Sequence, residues 1–187
     1  MKRVGTTTPW KNIFWVYGRS GRGKTSMIRD LMRRLGEKHV CFLDMEQFLT
    51  KLVGHIIKQE KLDSFLNYYR GYNILVLDHI DPDLAEKIKS QELIKKLILS
   101  FIKDSNKKVI LISNTSPYKF RKLNFSARDC CYVGLRCPSM EVKINLLNEW
   151  SERRNVLIKN AVKIARTANN LFQLRGLFNR QIYETIP

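Results

Sequence analysis

Acidic residues are scarce in this chain: it carries 17 Asp and Glu against 34 Lys and Arg, a formal net charge of +17 over 187 residues. Such an imbalance repels itself and attracts polyanions, so nucleic acid is the first partner to consider and an anionic membrane surface the second. Long apolar runs are also missing. Ile13–Tyr17 and Val109–Ile112 fall far short of the roughly 20 residues that span a bilayer, so no membrane segment is expected. Met1-Lys2-Arg3 leads into polar Gly5-Thr6-Thr7-Thr8 instead of an apolar core, so no secretory signal is read and a cytoplasmic location is expected. The four cysteines (Cys41, Cys130, Cys131, Cys137) contain no C-x-x-C pair, and His39, His55 and His79 make no metal-ligand spacing with them. Reduced thiols are expected, with Cys130-Cys131 packing inside a strand. No internal repeat, low-complexity segment or linker longer than a turn is present.

What is present is the composition of a folded domain, with 44% hydrophobic residues and a length that allows one compact α/β core plus a small appended unit. Asn12–Tyr17 is a β-branched and aromatic run that ends at a glycine, a buried strand. Met27, Leu31 and Leu35 then recur at helical spacing up to Gly36, which predicts a helix with those three on its apolar face. Strands are predicted at Val40–Leu43, Ile74–Leu77, Val109–Ser113 and Tyr132–Leu135. Helices are predicted from Phe48 to Ile57, over Leu62–Tyr69 and over Leu84–Lys103, the last interrupted near Ser90. After Pro138-Ser139 the chain reads as wholly helical, with Ile144/Leu147, Val162/Ala165 and Leu174/Leu177 marking three helices. Strands alternating with helices imply a parallel sheet flanked by helices, here with a small helical lid. The expected division is 1–150 for the nucleotide-binding core and 151–187 for the lid, with the boundary near Glu149–Asn155.

The most specific motif is Gly18-Arg19-Ser20-Gly21-Arg22-Gly23-Lys24-Thr25, a full G-x-x-x-x-G-K-T between a strand and a helix. Glycines let successive backbone N–H groups turn inward around a phosphate, and the helix start adds favourable potential for an anion. The loop through Ser26 is therefore the expected nucleotide site for ATP or ADP. Lys24 is expected on the β- and γ-oxygens, and the Thr25 hydroxyl on Mg2+. Ile74-Leu75-Val76-Leu77-Asp78 is a hydrophobic strand ending in a carboxylate, placed to approach that same Mg2+. Val109-Ile110-Leu111-Ile112-Ser113-Asn114 ends in a polar side chain, read either as a γ-phosphate sensor or as a strand terminator.

In order and spacing these stretches resemble the AAA+ domain of the bacterial chromosomal replication initiator DnaA and its shorter regulatory relatives. Further matches are Phe65-Leu66-Asn67-Tyr68-Tyr69-Arg70, Cys137-Pro138-Ser139-Met140-Glu141, and Asn170-Leu171-Phe172-Gln173-Leu174-Arg175-Gly176 in the lid. The resemblance spans Asn12 to Tyr183. It implies an α/β P-loop NTPase of AAA+ type, with a parallel five-stranded sheet and a C-terminal helical lid. It also implies nucleotide held between core and lid.

Departures from the family pattern are as informative. The family usually has two adjacent acids at the end of the third strand, the second polarising the attacking water; here that position is His79. Imidazole is a poor substitute for a carboxylate beside Mg2+. Asp81, two residues on, is the candidate replacement. The lid arginine of the family aligns with Phe172, leaving Arg175 as the nearby candidate. The intersubunit arginine falls near Ser126, with Arg128 as a shifted candidate. Slow or absent hydrolysis is therefore expected.

Basic side chains supply the second expected activity. The first 36 residues hold nine Lys and Arg and a single acid, Asp30. Arg29 and Arg33 lie at i, i+4 on the first helix. Lys51, Lys58 and Lys61 charge the helical pair before the third strand, an insertion that contacts single-stranded DNA in the family. Non-specific, salt-sensitive binding to single-stranded DNA is expected from them. The competing reading is solvated helix faces. The resemblance further implies replication proteins, DnaA-type AAA+ partners and self-association. Four functions stand open at this point: a switch in replication initiation or its regulation, a helicase-loader or transposition-helper ATPase, a non-hydrolysing nucleotide-binding scaffold, and a small-molecule kinase built on the P-loop, which the helical lid fits less well.

Overall fold

The computed structural model describes residues 11–36, 39–59, 61–81, 89–103, 106–120, 122–123 and 125–185. Five strands run parallel: β1 (Ile13–Tyr17), β2 (Val40–Asp44), β3 (Ile74–Ile80), β4 (Lys108–Ser113) and β5 (Cys130–Gly134). Their order across the sheet is β2-β3-β4-β1-β5. Period-two alternation sends Trp15, Leu77 and Leu111 into one face, and Val16, Val76 and Ile112 into the other. Both faces are covered, which is why these strands read as continuous apolar runs without polar interruption.

The larger apolar layer packs against α2 (Met45–Ile57), α3 (Leu62–Tyr69) and α4 (Lys89–Phe101). Trp15 is its centre, with Phe120, Phe125 and Tyr132 ringed around it at centroid distances of 5.0, 6.3 and 6.2 Å. The expected long helix begins within the described residues at Lys89; its predicted first turns, Leu84 to Ile88, lie outside them.

The other face is covered by α1 (Lys24–Leu35), and here the periodicity misled. Met27, Leu31 and Leu35 are exposed, while Ile28 and Met32 are buried on the sheet. The cause is Lys24. Its side chain must turn inward under the preceding loop, and residues four and eight positions later follow it on the same helical face. The two stripes differ by a single residue of rotation, so apolar spacing alone does not choose between them.

Three helices close the chain: α5 (Met140–Arg154), α6 (Ala161–Thr167) and α7 (Leu171–Thr185). They share a separate core built on Leu147, Ala165, Leu174 and Phe178. Ser139 caps α5 by accepting from the Val142 amide, and Asn155 ends it in the left-handed region at φ 52°. The expected break at residue 150 therefore falls inside a helix, and the packing of Leu147 puts that whole helix with the lid. Lys143 is buried within it and donates to the carbonyls of Ala165 and Ala168 at 3.2 and 2.6 Å. These carbonyls lie at the C-terminal end of α6, where acceptors are otherwise unsatisfied and a cation is favoured.

Candidate functional site

The ends of β1, β3 and β4 meet at a cup of about 180 Å3 lined by the glycine loop, the first turn of α1, Asp78, His79 and Asn114. Gly18 leaves β1 at φ +150°, and a side chain there would sit 2.5 Å from the Leu135 carbonyl oxygen, so only glycine fits. Gly21 and Gly23 are left-handed at φ 76° and 81°. Lys24 Nζ donates to the Gly18 and Arg19 carbonyls at 2.7 and 3.1 Å and to Asn114 Oδ1 at 2.8 Å. Burial pushes its pKa down; Asp78 opposes this, and Arg22 adds to it. The ammonium thus stands in the cup on neutral acceptors, with capacity for an anion.

Asn114 is aimed by its neighbours. Trp15 Nε1 donates to Ser113 Oγ at 2.9 Å, and that hydroxyl donates to the Thr115 carbonyl at 2.6 Å. The chain is turned tightly after β4, and the Asn114 amide oxygen meets Lys24 as a result. The Arg22 guanidinium donates to the Leu135 carbonyl at 2.7 Å and ties the loop to the end of β5. Arg19 contributes its carbonyl to Lys24, and its side chain is exposed.

Thr25 Oγ1 donates to Asp78 Oδ2 at 2.8 Å, and the buried carboxylate also accepts from the His79 amide through Oδ1 at 2.8 Å. A hydroxyl and a carboxylate side by side beneath a phosphate loop are the hard oxygen donors that suit Mg2+, which keeps several of its own waters. These two side chains fit that ion.

His79 occupies an irregularity. The register of β3 against β4 shifts between Leu77 and Ile80, and His79 has φ 58°, uncommon for a residue with a Cβ. The bulge gives its imidazole to Asp44, with Nδ1 2.6 Å from Oδ2. Asp44 also caps α2 by accepting from the Glu46 amide at 2.9 Å. Burial works to raise the Asp44 pKa, yet the His79 and Glu46 hydrogen bonds outweigh it and hold the carboxyl below its ordinary value. Asp44 was not singled out in the sequence. The sequence shows an aspartate ending each of these two strands, but their adjacency, with Asp44 opposite Asp78, comes from the sheet.

A depressed carboxyl pKa stabilises the fold above the unfolded value, near 4, and that contribution fades as pH falls through the lowered folded value. Asp44→Ala is expected to lower stability by about 1 kcal/mol at neutral pH, the usual cost of losing an N-cap. Denaturant titrations of both proteins should converge as pH drops below about 4; a gap that stays constant there would mean that the carboxylate charge contributes nothing.

Other candidates lie elsewhere. Asp81 follows Ile80 and is not among the residues lining the cup. Arg175 lines a neighbouring cleft between α1 and the lid that shares Ser26 with the cup. Phe172 is exposed on the first turn of α7. Arg128 is exposed in the turn before β5, where Ser126 Oγ donates to Asp129. Burial pushes the Cys130 thiol up to about 12, as suits a packed, unreactive sulfur.

The basic candidates separate into two places. Arg29 and Arg33 flank a groove with Met32, Val40 and Phe42, the Arg29 guanidinium lying 5.1 Å from the Phe42 ring centroid. Lys51 and Lys58 edge a second groove, between α2 and α3, with His55 and Tyr68. Lys61 stands at the start of α3, where its carbonyl accepts from Ser64 Oγ at 2.6 Å.

The lid touches the phosphate loop directly, a contact the motifs did not announce. The Leu171 amide donates to the Gly21 carbonyl at 2.8 Å, and a Cβ on Gly21 would lie 2.7 Å from Asn170 Cγ. Gly21→Ala combines that clash with a left-handed backbone costing about 1–2 kcal/mol. The expected outcome is release of the lid, read as faster exchange of the Leu171 amide hydrogen by roughly tenfold. Unchanged exchange would show that the loop and lid are not held together there.

The family model of the bacterial DnaA ATPase domain matches residues 4–138. The chromosomal replication initiator protein DnaA of Deinococcus radiodurans is 29% identical over 184 residues, covering 91% of this chain and 38% of that protein. The chain thus spans about two-fifths of the length of such relatives. Domain III of the Thermotoga maritima replication initiation protein DnaA superposes with a TM-score of 0.72 at 22% identity, covering 95% of this chain and 80% of that one. A replication initiator DnaA bound to AMPPCP and single-stranded DNA gives 0.74 at 18% identity, covering 90% of this chain and 54% of that one. At these identities the structural likeness carries the fold.

Proposed function

Because the chain belongs to the bacterial DnaA ATPase-domain family, we propose that it binds Mg·ATP as a switch in replication initiation or its regulation and hydrolyses it slowly or not at all. The observation that carries this reading is the convergence of Lys24, Thr25, Asp78 and Asn114 on one cup, with His79 on its wall bonded to Asp44 where the family has an acid. Lys24 and the loop amides would hold the phosphates, with Asn114 beside Lys24 as the polar group near them. Thr25 and Asp78 would hold Mg2+, which would supply charge neutralisation for the phosphates. Among the described residues Asp78 is the one carboxylate that lines the cup, which supports slow or absent turnover.

The exposed phenol of Tyr68 beside Lys51 and Lys58 supports contact with single-stranded nucleic acid along the α2–α3 groove. Its salt dependence would reflect phosphate contacts, with little preference among sequences. Replication proteins or DnaA-type AAA+ chains are the proposed protein partners, and the nucleotide state is the signal they would read.

The test is equilibrium binding of labelled Mg·ATP alongside phosphate release, on the same preparation. Nucleotide retained without release supports a switch or scaffold. Absence of binding at millimolar nucleotide sinks the proposal. Rapid release would show that another group replaces the missing acid.

A further inference from the structure

A cleft of about 620 Å3 separates α1 from the lid, within the size range of binding pockets and over three times the volume of the phosphate cup beside it. Among the described residues, four guanidiniums line it, from Arg33 on α1, Arg153 and Arg154 on α5, and Arg175 on α7, against two carboxylates, Asp30 and Glu149. Both carboxylates are already engaged: Asp30 pairs with Arg34 at 2.9 Å, outside the cleft, and Glu149 pairs with Arg153 at 2.5 Å. Arg154 is braced by Asn179 Oδ1 at 3.1 Å and lies 5.6 Å from the Phe178 ring centroid. Arg33 and Arg175 are exposed and carry no acidic partner among the described residues. The half-buried indole of Trp150 forms part of the same wall, 5.6 Å from Phe178.

We infer that this cleft takes the phosphodiester backbone of a single nucleic-acid strand, with phosphates on Arg33 and Arg175 and a base against Trp150. The site is distinct from the α2–α3 groove. Guanidinium forks match phosphate oxygens two at a time, which ammonium groups cannot do. A planar aromatic wall beside them suits a base, and stacking of that kind tolerates any sequence. An acidic peptide would satisfy the charge but would leave the indole unused. A strand lying here touches core and lid together, next to Ser26 and the phosphate loop.

The test is fluorescence anisotropy of a labelled oligothymidylate, in a Lys51→Glu/Lys58→Glu background that disables the other groove. Arg33→Glu/Arg175→Glu changes two exposed side chains, and a circular-dichroism melt checks that the lid stays folded. The expected result is at least a tenfold loss of affinity, with the salt slope flattened by about 1.4 for two lost phosphate contacts. Photo-crosslinks from 4-thiothymidine should fall on the peptide holding Trp150 and vanish in the Arg33/Arg175 variant. Unchanged affinity, or no strand binding in the background, overturns the inference. Displacement of the strand by poly-glutamate of equal charge also overturns it, and would point to an acidic protein surface instead. If Lys51→Glu/Lys58→Glu leaves affinity intact while the arginine pair lowers it, the α2–α3 groove reading fails and the cleft stands.

Discussion

Lys24→Ala is expected to weaken Mg·ATP binding by about 10²–10⁴-fold and to leave the fold standing. Each charge-assisted hydrogen bond from an ammonium to a phosphate oxygen contributes about 1.5–3 kcal/mol. Two such bonds, one each to the β- and γ-phosphates, give the range, since about 1.4 kcal/mol is a factor of ten. Without nucleotide, Nζ is held by two carbonyls and one amide oxygen, none of them charged. Burial lowers its pKa. A lysine lowered in this way weakens the fold while charged, and the penalty lifts only as pH rises through the lowered value towards the ordinary lysine range. At neutral pH the variant removes that penalty, and the freed acceptors face the solvent of the cup. Nucleotide titration and thermal melting of the same samples separate the two effects. Affinity within threefold of the unaltered chain would remove the phosphate loop from the proposed function, whereas a collapsed melting temperature would mean that Lys24 holds the loop itself together.

The strands and the strand–loop–helix turn were legible because their signals are local. Val109–Ser113 is an unbroken apolar run, and Gly18 and Lys24 stand at fixed offsets within one loop. Three features were not legible, each for its own reason. The orientation of α1 depends on where Lys24 points, which apolar spacing does not encode, so Ile28 and Met32 took the inward places read for Met27 and Leu31. The extent of the lid depends on which core claims Leu147, a tertiary matter that helix boundaries do not reveal. The His79–Asp44 pair required two further facts: that β2 and β3 are neighbours, and that a bulge rotates His79 out of the strand's alternation. The sequence marked His79 as a departure from the family pattern, but its partner emerges only from the sheet.

That pairing decides how the proposed slow turnover is tested. His79→Glu alone would bring a carboxylate to within hydrogen-bonding reach of Asp44, where like charges repel and the bulge could refold. Asp44→Asn removes the repulsion and preserves the N-cap of α2, because asparagine caps about as well as aspartate. The double variant is therefore expected to release phosphate about 100 times faster than the unaltered chain, the low end of what a positioned general base contributes. Asp44→Asn alone should change nothing in turnover, since it frees His79 without adding an acid. Adding Lys24→Ala to the double variant should abolish the gain, which ties the released phosphate to this cup and excludes a contaminating ATPase. If the double variant binds Mg·ATP and still releases no phosphate, the missing acid is not the limiting defect. Exposed Phe172, on the first turn of α7, is then the next position to change, and Phe172→Arg in the same background distinguishes a lid defect from a lost water-orienting group.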